Sequence, residues 1–186
     1  MREQNLHLEV LDLTHDLRIP VFSANLFRGD GESLQFRGNG FGCHVDPRIA
    51  LDGAVSELGQ SWNVNNVDDF SRKFQSTPLS RELFLQADQA QTPKILSDFP
   101  HTPHDDFLDD IHDMMKRIQE CGMDDMLVMD LTRPDVAFPV VRVIVPGMVH
   151  FWPRLGCPRL YEVPKKMGWN DCKTREEDLN PIPFYW

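Results

Sequence analysis

An α/β fold, a mixed sheet with packed helices, is predicted by three features of the chain. The segment His7–Thr14 sets Leu8, Val10, Leu11 and Leu13 among polar neighbours, the alternation of a strand with one face covered. Asp46-Pro47 opens a stretch of helical periodicity, with an acceptor at the N-cap and proline at the first helical position. Val140–Val145 is apolar throughout apart from Arg142, the pattern of a strand covered on both faces.

The other elements follow in order. Pro20 interrupts the chain before Val21–Phe27, a second strand that ends in the turn Gly29-Asp30-Gly31. The run Gly38-Asn39-Gly40-Phe41-Gly42 reads as a glycine-rich turn leading into the helix from Pro47 to about Trp62. On that helix Leu51, Val55, Leu58 and Trp62 form the expected buried stripe. Gly53, Glu57 and Gln60 fall on another line, at steps of four and three, so the last two point the same way. Residues 64–104 form a loop-rich segment broken by Pro78, Pro93, Pro100 and Pro103, with a short helix near Ser80–Ala87. Asp105 opens a second clear helix that carries Leu108, Ile111, Met115 and Ile118 on one side and stops at Gly122. Met126–Leu131 and Val140–Val145 are expected as buried strands. Residues 164–186 read as an extended, stiff, proline-containing tail that ends in Phe184-Tyr185-Trp186.

Composition narrows the function classes. The 186 residues suffice for one ordinary domain or a large piece of a bigger one. A formal charge of −10 argues against a broad nucleic-acid surface, which needs clustered Lys and Arg, although a few arginines could still line a small phosphate pocket. No apolar run is long enough to span a bilayer, and the polar start is no signal peptide, so a soluble, cytoplasmic protein without membrane contact is expected. Cys43, Cys121, Cys157 and Cys172 have neither CxxC spacing nor the density of a disulfide scaffold and read as reduced thiols.

Between Gly38 and Gln60 the sequence offers glycines that permit close backbone approach, a Cys43-His44 pair, a capped helix, and a carboxylate one turn from an amide. Glu57 is a suitable oxygen ligand for magnesium, and Gln60 can ligate it or hydrogen-bond a phosphate or water. Taken alone, those residues are better accounted for by an ordinary loop-to-helix connection with two solvated polar residues. His101, His104 and His112, among Asp105, Asp106, Asp109 and Asp113, fit no structural-zinc spacing and read better as a solvated acidic face.

The order of residues is more specific. Gly40-Phe41-Gly42-Cys43-His44-Val45-Asp46-Pro47, then Ala50-Leu51, Ala54, Glu57 and Gln60-Ser61, closely resembles the Gly-x-Gly-Cys-His-x-Asp-Pro…Ala-Leu…Ala…Glu-x-x-Gln segment of the YcaO family. That domain occurs in azoline-forming cyclodehydratases and thioamide-forming enzymes. A second block, Asp130–Asp135 with Phe138–Val143 and Val145-Pro146-Gly147, and the proline-containing carboxy terminus resemble the family in the same order. The resemblance implies the carboxy-terminal half of a YcaO-type ATP-binding domain spread over residues 1–186. It also implies ATP and Mg2+ as cofactors. Glu57 corresponds to a magnesium-binding carboxylate, Gln60 to the polar residue beside it, and Arg142 to a residue near phosphate. Pro181 and Pro183 correspond to the family tail that orders the active site.

Two departures stand out: Gly53 and Trp62 lie where typical members carry arginine. The resemblance places the first half of the domain, with its Ser-x-x-Glu-x-x-Glu carboxylates, before Met1. The expected partners are therefore a second polypeptide supplying that half and a precursor peptide as substrate, with a leader-binding protein as an optional third component. The expected function is that of a subunit of a split ATP-dependent peptide backbone-modifying enzyme, inactive alone. The alternative is a non-catalytic scaffold or peptide-binding subunit.

Overall fold

Three strands build the first sheet: β1 (Leu6–Asp12), β2 (Val21–Arg28) and β3 (Gln35–Cys43), antiparallel in the order β1-β2-β3. The computed structural model describes residues 5–29, 35–61, 92–99, 104–150, 152 and 154–179. The chain divides into two units, residues 1–14 with 18–105, and residues 15–17 with 106–186.

In the first unit β2 is the central strand, and Phe22 to Phe27 are all buried. Phe22, Ala24 and Leu26 lie on one face, directly opposite Gly42, Gly40 and Gly38 of β3. Helix α1 (Pro47–Ser61) covers that face with Ala50, Ala54 and Leu58, and the edge-on ring of Phe99 packs on Phe22 with centroids 4.9 Å apart. The other face carries Ser23 and Asn25, both buried, where the Ser23 hydroxyl donates to the Asn25 side-chain oxygen at 3.3 Å. Burial of such groups is tolerable because each has a partner.

Two expectations are corrected here. The glycine-rich run is part of a strand, because its backbone pairs with β2 and that ladder outweighs the low strand propensity of glycine. The buried stripe of α1 is Ala50, Ala54 and Leu58, while Val55 is 41% exposed and Leu51 is half-buried. Alanine lies inward because the helix sits too close to β3 for larger side chains. Trp62, the short helix expected near Ser80–Ala87 and most of the loop-rich segment lie outside the described residues.

The helix also carries a glycine that packing does not require. Gly59 is exposed, and a Cβ there would meet nothing within 4 Å. Gly59→Ala is expected to stabilise the chain by about 0.8 kcal/mol through helix propensity, raising the thermal midpoint by about 2–4 °C. A melt that is unchanged or lowered would contradict the open environment at this position.

The second unit contains α2 (Phe107–Glu120), a two-stranded antiparallel ribbon of β4 (Leu127–Asp130) and β5 (Val141–Ile144), and α3 (Arg159–Lys166). Helix α2 starts one residue later than expected, with the Asp106 carboxylate accepting the Leu108 N–H at 2.8 Å. It ends at Gly122, whose φ of +80° suits glycine. The expectation that β4 and β5 are buried is corrected. Leu127, Val128, Val141 and Val143 are all more than half exposed, so their apolar character is not accounted for by packing among the described residues.

Helix α3 was not expected, because its prolines read as an extended tail. Pro164 lies inside it, near the end, where the missing N–H removes one backbone bond and the helix stops two residues later. Residues 15–17 join this unit through Asp16, whose side chain is 3% exposed. Arg159 reaches it at 2.5 and 3.1 Å, Lys166 at 3.1 Å and His15 at 3.2 Å. Among the described residues no helix is long and apolar enough to cross a membrane.

Candidate functional site

The segment from β3 through the turn into α1 is fixed by local chemistry. The Asp46 side chain caps the helix by accepting the Arg48 N–H at 2.8 Å and pairs with the Arg48 guanidinium at 3.0 Å. His44 Nδ1 accepts the Asp46 N–H at 2.9 Å, and the His44 N–H donates to the Pro20 carbonyl at 3.2 Å. The imidazole thus belongs to the turn, with its Nδ1 taken by the main chain.

Close approach of the helix to the strand follows from Gly40 and Gly42. A Cβ on Gly40 would overlap the Ala54 carbonyl and the Leu58 nitrogen and lie 2.9 Å from the Glu57 carbonyl carbon. A Cβ on Gly42 would overlap the Ala50 carbonyl and lie 2.5 Å from the Ala54 nitrogen. Neither glycine has positive φ, so space rather than backbone conformation demands them. The close backbone approach expected of these glycines is therefore made to α1.

Glu57 projects from α1 to this junction. Its Oε2 accepts the Phe41 N–H at 2.5 Å, a charge-assisted bond from the residue between the two glycines. Gln60 lies one turn further on the same side of α1 and is exposed. Arg142 belongs to the second unit, on β5 opposite Met129, exposed and without an ion partner among the described residues. Arg133, by contrast, pairs with Asp135 at 2.9 Å. The structure thus brings Glu57 and Gln60 together and assigns Arg142 to the other unit. Pro181 and Pro183 lie outside the described residues.

A magnesium ion needs hard oxygen donors and is commonly held by one or two carboxylates together with phosphates and waters. Glu57 fits as one such ligand: it is half-buried, and one oxygen is fixed by a main-chain N–H. Among the described residues no three His, Cys, Asp or Glu side chains gather into a metal cluster, His104 and His112 included.

Sequence reasoning missed two features. The Phe41 N–H has no side-chain signature, although the Gly-x-Gly around it marks the close approach that makes the contact possible. Asp16 and Arg159 are 143 positions apart, and nothing local in either segment pairs them.

Strand, turn and helix define an α/β protein with a carboxylate held at a strand–helix junction. The sequence profile of the family described as YcaO cyclodehydratase, ATP- and Mg2+-binding, matches residues 1–149, and the chain belongs to that family. The structure is similar to a heterocyclase solved in complex with substrate and cofactor, at 38% identity and a TM-score of 0.83 over 97% of this chain and 25% of that one. It is also similar to the heterocyclase TruD, at 36% identity and a TM-score of 0.77 over 98% of this chain and 26% of the other. Among curated proteins, one from Methanothermobacter thermautotrophicus is 32% identical over 60% of this chain and 31% of its own length. One encoded in the tfuA 3′ region of Rhizobium leguminosarum bv. trifolii is 29% identical over 77% of this chain and 37% of its own length. Both carry the description of uncharacterized proteins. The chain thus spans about a third of these relatives and about a quarter of the solved heterocyclases.

Proposed function

We propose that this chain is the carboxy-terminal part of a YcaO domain and contributes half of the nucleotide site of an ATP-dependent peptide backbone-modifying enzyme. The observation that carries this reading is the Glu57 carboxylate, pinned to β3 by the Phe41 N–H within a chain that is 38% identical to a heterocyclase. The rest of the domain lies outside these residues and completes the site. Exposed apolar residues on the β4–β5 ribbon suit contact with that remainder, since exposed patches of this kind mark interaction surfaces.

In the proposed reaction a Cys, Ser or Thr side chain of the substrate peptide, or an external sulfide, adds to a backbone amide carbonyl. The carbonyl oxygen takes the γ-phosphoryl group of ATP, with ADP leaving. The carbon–oxygen bond then breaks and phosphate departs. Loss of the amide proton after addition of a side chain leaves an azoline ring, and addition of sulfide leaves a thioamide. Phosphorylation is needed because an amide oxygen is otherwise a poor leaving group. Bound magnesium would neutralise the phosphates during the transfer. Glu57 and Gln60 would hold that ion and the nucleotide, with Arg142 toward phosphate and Pro181 and Pro183 in a tail that orders the site.

The purified chain is expected neither to bind nor to hydrolyse ATP, and to gain activity with a partner that carries the missing carboxylates. Robust magnesium-dependent hydrolysis by the chain alone would sink the split-enzyme reading. In the reconstituted complex Glu57→Gln is expected to lower turnover about a hundredfold, the upper range for disturbing a metal site. The exposed ribbon also suits a non-catalytic binding subunit. Unchanged turnover in Glu57→Gln would favour that alternative.

A further inference from the structure

We propose that the main-chain N–H of Phe41 is the positioning group of the Glu57 carboxylate, and that Gly40 and Gly42 serve this purpose by bringing α1 within reach of it. The inference rests on the reading of Glu57 as a magnesium ligand. The clamp itself can be tested without magnesium, ATP or a partner.

The geometry has three parts. First, β3 is the edge strand of its sheet among the described residues, and N–H groups alternate in direction along a strand. Because the Phe41 N–H goes to Glu57, those of Gly40 and Gly42 point the other way, toward their partners Ala24 and Phe22 on β2. Phe41 therefore presents a donor that the sheet does not use. Second, the glycines on either side of it let the helix come close, since a Cβ at either position would strike the α1 backbone. Third, the carboxylate that meets the donor comes from the stretch of helix nearest Gly40, where Ala54, Glu57 and Leu58 face the strand.

A glutamate on a helix surface normally samples several rotamers, and ordering it costs conformational entropy. A fixed donor selects one of them before any ion arrives. Oε2 is held by the strand, and Oε1 is the oxygen we assign to the metal. The peptide N–H cannot titrate or change rotamer, so it holds the carboxylate more rigidly than a lysine or serine would. A main-chain donor would thus do for Glu57 what outer-shell hydrogen bonds do for metal-binding histidines and carboxylates generally.

The test compares Glu57→Gln, Glu57→Asp and Glu57→Ala in the isolated chain, using amide hydrogen exchange resolved by NMR. Glutamine retains an acceptor oxygen at the same reach, whereas aspartate is one methylene shorter and alanine has no acceptor. The Phe41 amide is expected to stay protected in Glu57→Gln and to exchange about tenfold faster or more in Glu57→Asp and Glu57→Ala. The Gly40 and Gly42 amides, held by β2, should remain unchanged in all three. Protection of Phe41 retained in Glu57→Ala would overturn the proposal.

Gly40→Ala and Gly42→Ala, where they fold, should also deprotect Phe41. A folded variant with Phe41 fully protected would reduce the glycines to packing alone. In the reconstituted enzyme Glu57→Asp keeps its carboxylate but loses the clamp. Its half-saturating Mg2+ concentration should rise about tenfold with the peptide KM unchanged. Wild-type magnesium dependence in Glu57→Asp would also overturn the positioning role. Failure of the broader reading is a separate result, namely full turnover in Glu57→Gln.

Discussion

Gly42→Val is expected to abolish the packing of α1 on β3 and to leave the first unit unfolded or molten. Even alanine places its Cβ on the Ala50 carbonyl and 2.5 Å from the Ala54 nitrogen, and both are backbone atoms inside a helix. A flexible side chain could rotate away from such a contact, but a helix backbone can only move as a body. Moving it outward exposes Ala50, Ala54 and Leu58, which form one cluster with Phe22, Ala24 and Leu26. Overpacking of a core costs about 1–3 kcal/mol and occasionally more. Gly42→Ala should fall at the top of that range, about 3 kcal/mol, and valine beyond it. Urea unfolding followed by far-UV circular dichroism would measure the change. A midpoint for Gly42→Ala equal to that of the wild type would refute the steric account. Gly59→Ala provides the contrast, because the same added methyl group on the open side of α1 stabilises.

The second large effect is expected at Asp16. Burial by itself would raise its carboxyl pKa. Hydrogen bonds from Arg159 and Lys166, the Arg159 charge, and the His15 ring outweigh burial and hold it well below the usual carboxylate range. Asp16→Ala removes an anion that is 3% exposed and leaves the Arg159 side chain, 17% exposed, without its partner. Breaking a buried pair from one side costs about 3–5 kcal/mol. Because Lys166 is 59% exposed and can return to water, the lower end, about 3 kcal/mol, is expected here.

The sign of the pH dependence follows from the lowered pKa. The folded carboxyl titrates below the unfolded one, so its contribution is complete above the unfolded value of about 4. It declines as pH falls from there toward the folded value, by about 1.4 kcal/mol per pH unit. The stability gap between wild type and Asp16→Asn should therefore be constant from pH 7 to 5 and shrink below about pH 4. Chemical denaturation at pH 7, 5 and 3 would show this. A gap that widens on acidification would mean that Asp16 is not the anion of the cluster.

Residue order determines one end of α1 but not its buried face. Its start was legible, since Asp46 and Pro47 act through neighbours two or three positions away, and the cap is found where those residues place it. Its buried face was misread. Leu51 and Val55 are the larger apolar residues, but the inward positions belong to Ala50 and Ala54. Hydrophobicity ranks side chains by transfer from water and does not register how close the opposing backbone comes. The same omission turned Gly38–Gly42 into a turn, although the glycine spacing records the close approach of the helix. At β4 and β5 the apolar pattern was read as burial, whereas both strands are exposed among the described residues.

Glu57 and Gln60 mark the same division. Their spacing along the chain, three residues on a helix whose cap is local, is enough to place them on one side of α1. Neither that spacing nor the family resemblance specifies what holds the carboxylate. The Phe41 N–H does so from 16 positions away, and only because β3 presents no side chain to α1 at Gly40 and Gly42. Local backbone preferences act over a turn or two and can be read directly from residue order. The donor that meets Glu57, and the arginine that meets Asp16 across 143 positions, depend on which segments the folded chain brings together.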